Sequence, residues 1–138
     1  MKTFMSELEE HQSMITRLAD CSAVIEAAGE QLINTLKQGG KILLCGNGGS
    51  AADCQHIAAE FVVRYEEKDS SILTAHANDF DFETVFSRQI EALGNDKDCL
   101  IAISTSGKSK NILRAVEAAK SKGMIVIGLT GCEGGELS

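Results

Sequence analysis

The chain of 138 residues contains no proline, no tryptophan and a single tyrosine. Its apolar runs fall short of the ~20 residues that a membrane-spanning helix needs, and its N-terminus lacks the apolar core of a secretory signal. We therefore expect no membrane association. Basic residues are scarce, since 13 Lys and Arg stand against 20 Asp and Glu, for a net charge of -7. Without a basic stripe to release counterions, a nucleic-acid backbone is excluded as the main ligand.

Cysteine is present, but not in a pattern that builds a site. The five cysteines, at positions 21, 45, 54, 99 and 132, are odd in number and lack CxxC spacing. This pattern predicts reduced thiols in the cytoplasm rather than a disulfide framework or a zinc knuckle. The apolar fraction of 43% and the charged fraction of 24% are ordinary for one globular domain. A chain of this length can bury a hydrophobic core without disulfides or structural metal ions.

Apolar residues recur at helical spacing over residues 4–38, and Gly39-Gly40 ends the run. The pattern predicts one long helix or two shorter ones. Such a segment either packs on the core of its own chain or docks on a partner chain, and the sequence leaves both open.

Three short apolar runs then alternate with helical patterns. We predict buried parallel strands at 41–45, 99–103 and 124–129, and helices at 50–66, 82–94 and 111–122. This alternation favours an α/β fold with a parallel sheet and right-handed crossovers. A further strand is expected between the first two of these helices, and a helix is expected after the last Gly-rich loop. Since neither is evident, we expect residues to be missing near 68–70 and at the C-terminus.

The first loop, residues 46–51, joins a predicted strand to a predicted helix. Gly46, Gly48 and Gly49 let backbone N–H groups approach an anion at a helix N-terminus. The loop also fits G-x-G-x-x-A, which keeps a dinucleotide site and hence a nicotinamide-dependent oxidoreductase open, but no Walker A lysine follows. A plain tight turn is the structural alternative.

The second loop, residues 104–109, follows the next predicted strand. Its hydroxyl residues Ser104, Thr105, Ser106 and Ser109 suit an uncharged phosphate cradle, whereas helix capping alone needs only one of them. Ligands of open α/β sheets bind at the carboxyl ends of the strands. Two anion-suited loops there predict a phosphorylated small molecule.

The helix after the first loop carries polar residues along one ridge: Asp53, His56, Glu60 and Arg64. Cys54, Ile57, Ala58, Phe61 and Val62 form the opposite stripe. His56 and Glu60, at i and i+4, suit one metal ion, or Glu60 suits a general base beside a sugar. A solvated polar face is the structural alternative. Two ligands do not complete a zinc site.

Some polar residues between or beside these loops have simpler explanations. Asn78 and Asp79 are most simply turn and N-cap residues, or they bind sugar hydroxyls. His11 and His76 are isolated, which favours surface or packing roles. Lys108 and Lys110 either add positive charge near a phosphate or are solvated.

The motifs, taken in order, resemble a known family. CGNGGSAAD, QHIAAEF, AHANDFDFETVFSRQIEALG, AISTSGKSKNIL, GLTG and EGGEL are similar to those of the phosphoheptose isomerases of the SIS domain superfamily. The resemblance implies a doubly wound parallel sheet flanked by helices, with residues 1–40 as an N-terminal helical segment for oligomerisation and 41–138 as the phosphosugar-binding domain. It further implies a cytoplasmic homotetramer that isomerises sedoheptulose 7-phosphate to D-glycero-D-manno-heptose 7-phosphate for the lipopolysaccharide core, with active sites between subunits.

The family's functional residues carry over onto matching positions. Glu60 matches the catalytic carboxylate, and His56 and Glu60 match two ligands of one zinc ion per subunit. The remaining zinc ligands, a Gln and a His, belong to a C-terminal helix that we expect beyond residue 138. Substrate contacts fall on Asn47, Gly48, Gly49, Glu60, Arg64, Asn78, Asp79, Ser104, Thr105, Ser106 and Ser109.

A non-catalytic relative is the main alternative. Two segments, LTAHAND and GGEL, slightly favour an SIS-domain regulator that resembles the DnaA initiator-associating protein. That protein lacks a glutamate at the position of Glu60 and has an arginine where this chain has Ser106. Both differences favour the isomerase.

Overall fold

The computed structural model describes residues 2–61, 76–131 and 134–137. Part of the 50–66 helix and the region near 68–70 lie outside these residues. The elements in chain order are α1 (Phe4–Leu18), a 3-10 turn (Ala19–Cys21), α2 (Ser22–Lys37), β1 (Ile42–Gly46), α3 (Gly49–Phe61), a 3-10 turn (Phe82–Thr84), α4 (Val85–Leu93), β2 (Cys99–Ser104), α5 (Lys110–Ser121), β3 (Ile125–Thr130) and a 3-10 turn (Gly135–Leu137).

The three described strands form a parallel sheet in the order β1-β2-β3. Cys99 pairs with Ile42 on one side and with Ile125 on the other. The predicted α/β class with a parallel sheet and an N-terminal helical segment is confirmed. Each strand extends one residue beyond its predicted end, because the ladder continues to the pairs Gly46–Ile103 and Ser104–Thr130.

The core lies between the sheet and the helices that connect its strands. Leu100 and Ala102 of β2 are buried together with Ile112, Ala115 and Ala119 of α5. The small residues of α5 recur at helical spacing and let the helix approach the central strand closely. This packing explains why β2 has a continuous apolar sequence, as buried parallel strands do.

The N-terminal segment forms two helices rather than one. Thr3 caps α1, since its Oγ1 accepts from the Ser6 N–H at 3.3 Å while Ser6 Oγ accepts from the Thr3 N–H at 2.9 Å. No side chain of α1 is buried, and Phe4 is 79% exposed. Of the two alternatives, packing of α1 into the core of its own chain is not seen, and its apolar residues are exposed.

Cys45, Cys54 and Cys99 are buried, and all four cysteines in the described ranges are free, as predicted. Burial, together with the nearby Cys54, raises the pKa of Cys45 to about 12. Burial also raises the pKa of Cys99 to about 11. These thiols therefore stay protonated at neutral pH and act as small core residues. Across the same described ranges, no helix combines the length and apolarity that a bilayer crossing requires.

The buried carboxylate of Asp98 accepts hydrogen bonds at the edge of the sheet opposite the two loops. Asp98 is 1% exposed and accepts from the Lys41 N–H at 2.9 Å, from Lys41 Nζ at 2.6 Å and from the Asn95 N–H at 2.8 Å. Burial by itself raises the pKa of Asp98, but these hydrogen bonds outweigh it and hold the pKa below its ordinary value.

We expect Asp98→Asn to lower the free energy of unfolding by about 2 kcal/mol at pH 7, because an amide cannot accept all three bonds. The lowered pKa means that wild type gains this stability above the ordinary carboxyl range, near pH 4, and loses it as the pH falls through the folded value. Urea unfolding between pH 3 and pH 7 measures both effects. Asp96→Asn, at an exposed neighbouring position, is the matched control. Equal losses in the two variants would contradict the assignment.

Candidate functional site at the carboxyl edge of the sheet

The two predicted loops begin side by side. Gly46 ends β1 and pairs with Ile103, the residue before Ser104 at the end of β2. Both loops therefore leave the same edge of the sheet, where open α/β folds bind ligands.

Glycine shapes the first loop by close approach and by a positive φ. A Cβ on Gly46 would lie 2.6 Å from the Ser50 carbonyl oxygen, so no larger residue fits there. Gly48 has a φ of 56°, and the Ser50 N–H donates to the Asn47 carbonyl at 3.0 Å. The chain thus turns directly into α3, whose N-terminus begins at this loop.

The hydroxyls of the second loop are not used for helix capping. Ser109 occupies the N-cap position of α5, but its side chain makes no capping hydrogen bond. Instead Ser104 Oγ donates to Ser109 Oγ at 3.2 Å, and Ser106 Oγ accepts from the Lys108 N–H at 3.2 Å. This arrangement favours the cradle over the capping alternative.

The second loop rests on the chain that follows β3. Gly107 has a φ of 63°, and its carbonyl accepts from the Glu136 N–H at 3.0 Å. The Gly131 N–H donates to the Thr105 carbonyl at 3.1 Å. Gly131 and Glu136 therefore hold the backbone of the loop. The Thr105 and Ser106 side chains are exposed, and the Ser104 side chain is buried.

An open cleft of about 420 Å³ separates the start of α3 from the second loop. Ser50 and Asp53 line one side, Thr105 lines the other, and Thr130 and Gly131 lie at the end of β3. A second cleft of about 430 Å³ extends from Asn47 and Gly48 towards residues 77–86. Both are within the usual volume range of small-molecule sites.

The cations nearest the second loop are already paired or exposed. Lys110 Nζ donates to Glu83 Oε1 at 2.9 Å, and Arg114 Nη2 donates to Glu83 Oε2 at 2.7 Å. Lys108 is exposed. Lys110 is therefore paired with Glu83, whereas the exposed Lys108 is left to solvent or to an anion.

A polar residue that the sequence analysis missed joins the two loops. Asn47 Nδ2 donates to Asn111 Oδ1 at 2.8 Å, and Asn111 Nδ2 donates back to Asn47 Oδ1 at 2.9 Å. Asn111 is 4% exposed, at the start of α5. The sequence signal that could have identified Asn111 is a polar residue within the apolar stripe formed by Ile112, Ala115 and Ala119.

The ridge on α3 has the orientation that its spacing predicts. Asp53, His56 and Glu60 are exposed, and Cys54 on the opposite face is buried. His56 Nε2 lies 4.0 Å from Glu60 Oε1, and the Glu60 side chain is 74% exposed. Arg64, along with the end of the predicted ridge, lies outside the described residues.

Glu60 is distant from the loops of its own chain. It lies eleven positions after Gly49, where α3 begins, and this spacing corresponds to roughly 16 Å along the helix. Asp53 reaches the cleft, but the exposed carboxylate of Glu60 is near the other end of α3. Within one chain, the first loop and the Glu60 carboxylate therefore do not converge.

Asn78 and Asp79 lie in a helical turn formed by residues 76–79. Asn78 Nδ2 donates to Asp79 Oδ1 at 2.9 Å, and both side chains are exposed. The N-cap expectation is wrong, because the cap of the following turn is Asp81, which accepts from the Thr84 N–H at 2.8 Å. The two side chains therefore remain available to a ligand.

Histidines outside the ridge have the simple roles predicted for them. His76 stacks on Phe80 with ring centroids 4.9 Å apart, and its Nε2 lies 2.8 Å from Thr84 Oγ1. His11 is exposed on α1. In the parts of the chain that the structure describes, no three His, Cys, Asp or Glu side chains group so that they could hold a metal ion.

Comparison with known proteins connects this geometry to a family. The SIS domain profile matches residues 8–131. Phosphoheptose isomerase 1 of Campylobacter jejuni subsp. jejuni serotype O:2 is 50% identical over 96% of this chain and 77% of its own length. The phosphoheptose isomerase of Burkholderia pseudomallei (strain K96243) is 49% identical over 94% of this chain and 72% of its own length.

Solved structures give the same match. Phosphoheptose isomerase GmhA from Neisseria gonorrhoeae superposes with a TM-score of 0.82 at 41% identity, covering 98% of this chain and 79% of that chain. A phosphoheptose isomerase from Francisella tularensis gives a TM-score of 0.84 at 34% identity, covering 99% of this chain and 80% of that chain.

Proposed function

Because the chain belongs to the phosphoheptose isomerase family of SIS-domain proteins, we propose that it is an aldose–ketose isomerase. Its reaction converts sedoheptulose 7-phosphate into D-glycero-D-manno-heptose 7-phosphate, for heptose biosynthesis. The observation that carries the proposal is that the two loops begin at the same edge of the sheet. In the second loop, the Ser104 and Ser109 hydroxyls bond to each other and do not cap a helix. We place the reaction in the cytoplasm, on the route to the lipopolysaccharide core.

The first task of the site is to fix the phosphate. The N-terminus of α3 and the hydroxyls of Ser104, Thr105, Ser106 and Ser109 supply donors without a full positive charge. Asn47, Gly48 and Gly49 add the first loop, and Asn78 and Asp79 offer amide and carboxylate groups to the sugar hydroxyls. Holding one end of the sugar orients the reacting carbons at the other end.

The second task is proton transfer. Moving a carbonyl between C1 and C2 requires removal of the proton on the neighbouring carbon, which gives an enediol or enediolate. Glu60 is the base that takes this proton and returns it to the adjacent carbon, while a second group moves a proton between the two oxygens. By the resemblance, Arg64 is a further substrate contact, and it lies outside the described residues.

The distance along α3 supports an active site shared between copies. Glu60 of one chain does not reach the loops of the same chain, but it is exposed and free to enter the cleft of another copy. The apolar side chains of α1 and α2, including Phe4, Ile15 and Ile25, are exposed and suited to bury against such a copy. We infer a homotetramer, which sedimentation of the purified protein would measure directly.

His56 and Glu60 fit part of a zinc site. An imidazole and a carboxylate are ordinary zinc ligands, and their 4.0 Å separation needs only a small side-chain adjustment. A four-coordinate ion with bonds of about 2 Å holds its ligand atoms about 3.3 Å apart. A bound zinc ion would supply a Lewis acid that polarises the sugar carbonyl. The other ligands would come from outside the described residues.

We expect His56→Ala to lower the zinc content of the purified protein at least tenfold, because one of few ligands is lost. Elemental analysis after dialysis measures the metal without reference to activity. His11→Ala, which removes an exposed histidine of α1, should leave the zinc content unchanged. Equal zinc in all three proteins would contradict the assignment of His56.

Turnover of sedoheptulose 7-phosphate in D₂O tests the proposed function. An isomerase that exchanges its proton with solvent should form the aldose and incorporate deuterium at C2, and NMR detects both. If neither product nor exchange appears, the proposal is wrong, and binding to a replication-initiation protein becomes the account to test. Quenching of NADH fluorescence by the protein would instead favour the oxidoreductase.

A further inference from the structure

Asn111 occupies a position where the helix alone would favour an apolar residue. The neighbouring positions on this face of α5, Ile112, Ala115 and Ala119, are fully buried in the core. Asparagine is a weak helix former, and a buried amide is unfavourable unless its donors and acceptors are bonded. Packing does not explain this choice, whereas a specific hydrogen-bonding role does.

The Asn47–Asn111 pair is reciprocal, with bonds of 2.8 and 2.9 Å between the two amides. Each side chain uses one N–H and its carbonyl oxygen, so the pairing fixes which way each amide points. Asn47 keeps its second N–H for a ligand. Since Asn111 belongs to a helix packed on the core, it holds the first loop rigidly against the second.

We propose that Asn111 is a positioning residue for substrate binding and acts through Asn47. This inference rests on the proposed function, because it concerns the same phosphosugar cleft. Asn111 itself is buried behind the loop and leaves the contact with the sugar to Asn47 and the loop amides. Loss of the Asn111 amide should let the Asn47 side chain rotate. It should also make the relative position of the two loops less fixed.

A double-mutant cycle in the full chain tests whether the effect passes through Asn47. KM and kcat are measured with sedoheptulose 7-phosphate. Kd is measured by calorimetry with the corresponding heptitol 7-phosphate, which has no carbonyl to isomerise. We expect Asn111→Ala and Asn47→Ala each to raise KM and Kd about tenfold. The double variant should show the same tenfold effect rather than a hundredfold one, and kcat should change less than threefold.

Two further variants separate positioning from loss of stability. Ala119→Gly destabilises the same helix at its other end, and should lower the unfolding temperature while leaving KM and Kd unchanged. Asn111→Asp keeps an acceptor for Asn47 Nδ2 but turns a carboxylate oxygen towards Asn47 Oδ1. It should therefore weaken binding at least as much as Asn111→Ala does.

The results distinguish this inference from the proposed function. Turnover by wild type with an unchanged Kd in Asn111→Ala would overturn the positioning role alone, as would a hundredfold effect in the double variant. Loss of affinity in Asn111→Ala without turnover by wild type would support positioning and overturn the isomerase. Failure of wild type to bind heptitol 7-phosphate would overturn both.

Discussion

Glu60→Gln is expected to reduce kcat for sedoheptulose 7-phosphate by about 10³-fold, because an amide cannot accept the proton that isomerisation removes. General-base catalysis by a positioned carboxylate contributes typically 10²–10⁴-fold. Incorporation of solvent deuterium at C2 of the aldose should fall by the same factor, since it depends on the same removal of a proton from the ketose. The side chain is 74% exposed in the single chain, so the substitution should leave folding of the chain intact.

Glu60 also matches a zinc ligand, and the experiment must separate the two roles. Glu60→Asp keeps a carboxylate and should keep the zinc, yet its shorter side chain moves the oxygen by about one bond length. A misplacement of about 1 Å can reduce the rate about 10²-fold. Zinc content is measured in both variants. Activity that follows zinc content rather than the identity of residue 60 would assign Glu60 to metal binding alone.

A glutamate elsewhere on the domain provides the matched control. Glu117 is exposed on α5, and Glu117→Gln makes the same change of charge. It should retain full turnover and full exchange. A comparable loss in this variant would show that the effect comes from charge rather than from proton transfer at position 60.

The sheet edge and its two loops could be predicted because their signals are local. The apolar run into Gly46 and the hydroxyl cluster from Ser104 to Ser109 identify strand–loop–helix junctions by themselves. The exposed ridge of Asp53, His56 and Glu60 likewise depends only on helical periodicity.

The long-range contacts of the site could not be predicted in this way. The Asn47–Asn111 pair joins residues 64 positions apart, and each asparagine has an ordinary local explanation as a turn or helix-start residue. Spacing on α3 identifies the face of Glu60 and, from the predicted helix start at residue 50, its distance along the helix from the first loop. Contacts between copies, on which we propose that the site depends, have no such local signal in the sequence.

Gly107→Ala is expected to lower the free energy of unfolding by about 4 kcal/mol. The φ of 63° alone makes a non-glycine residue unfavourable by about 1–2 kcal/mol. A Cβ at this position would also overlap the Gly134 carbonyl oxygen and lie 2.6 Å from its carbonyl carbon. Overpacking against backbone typically adds about 1–3 kcal/mol. Urea unfolding of the two proteins measures the difference.

Gly48→Ala separates backbone strain from overlap. Gly48 has a similar φ of 56°, but a Cβ there meets nothing within 4 Å, so only the strain of about 1–2 kcal/mol applies. The larger effect at Gly107 would show that the segment around Gly134 supports the second loop directly. If the overlap is instead relieved by moving that segment away, Gly107→Ala should lose only the strain of about 1–2 kcal/mol and should show a raised KM, because the loop would lose its support. Equal losses of stability in the two variants, with KM unchanged, would contradict the support of the second loop by Gly134.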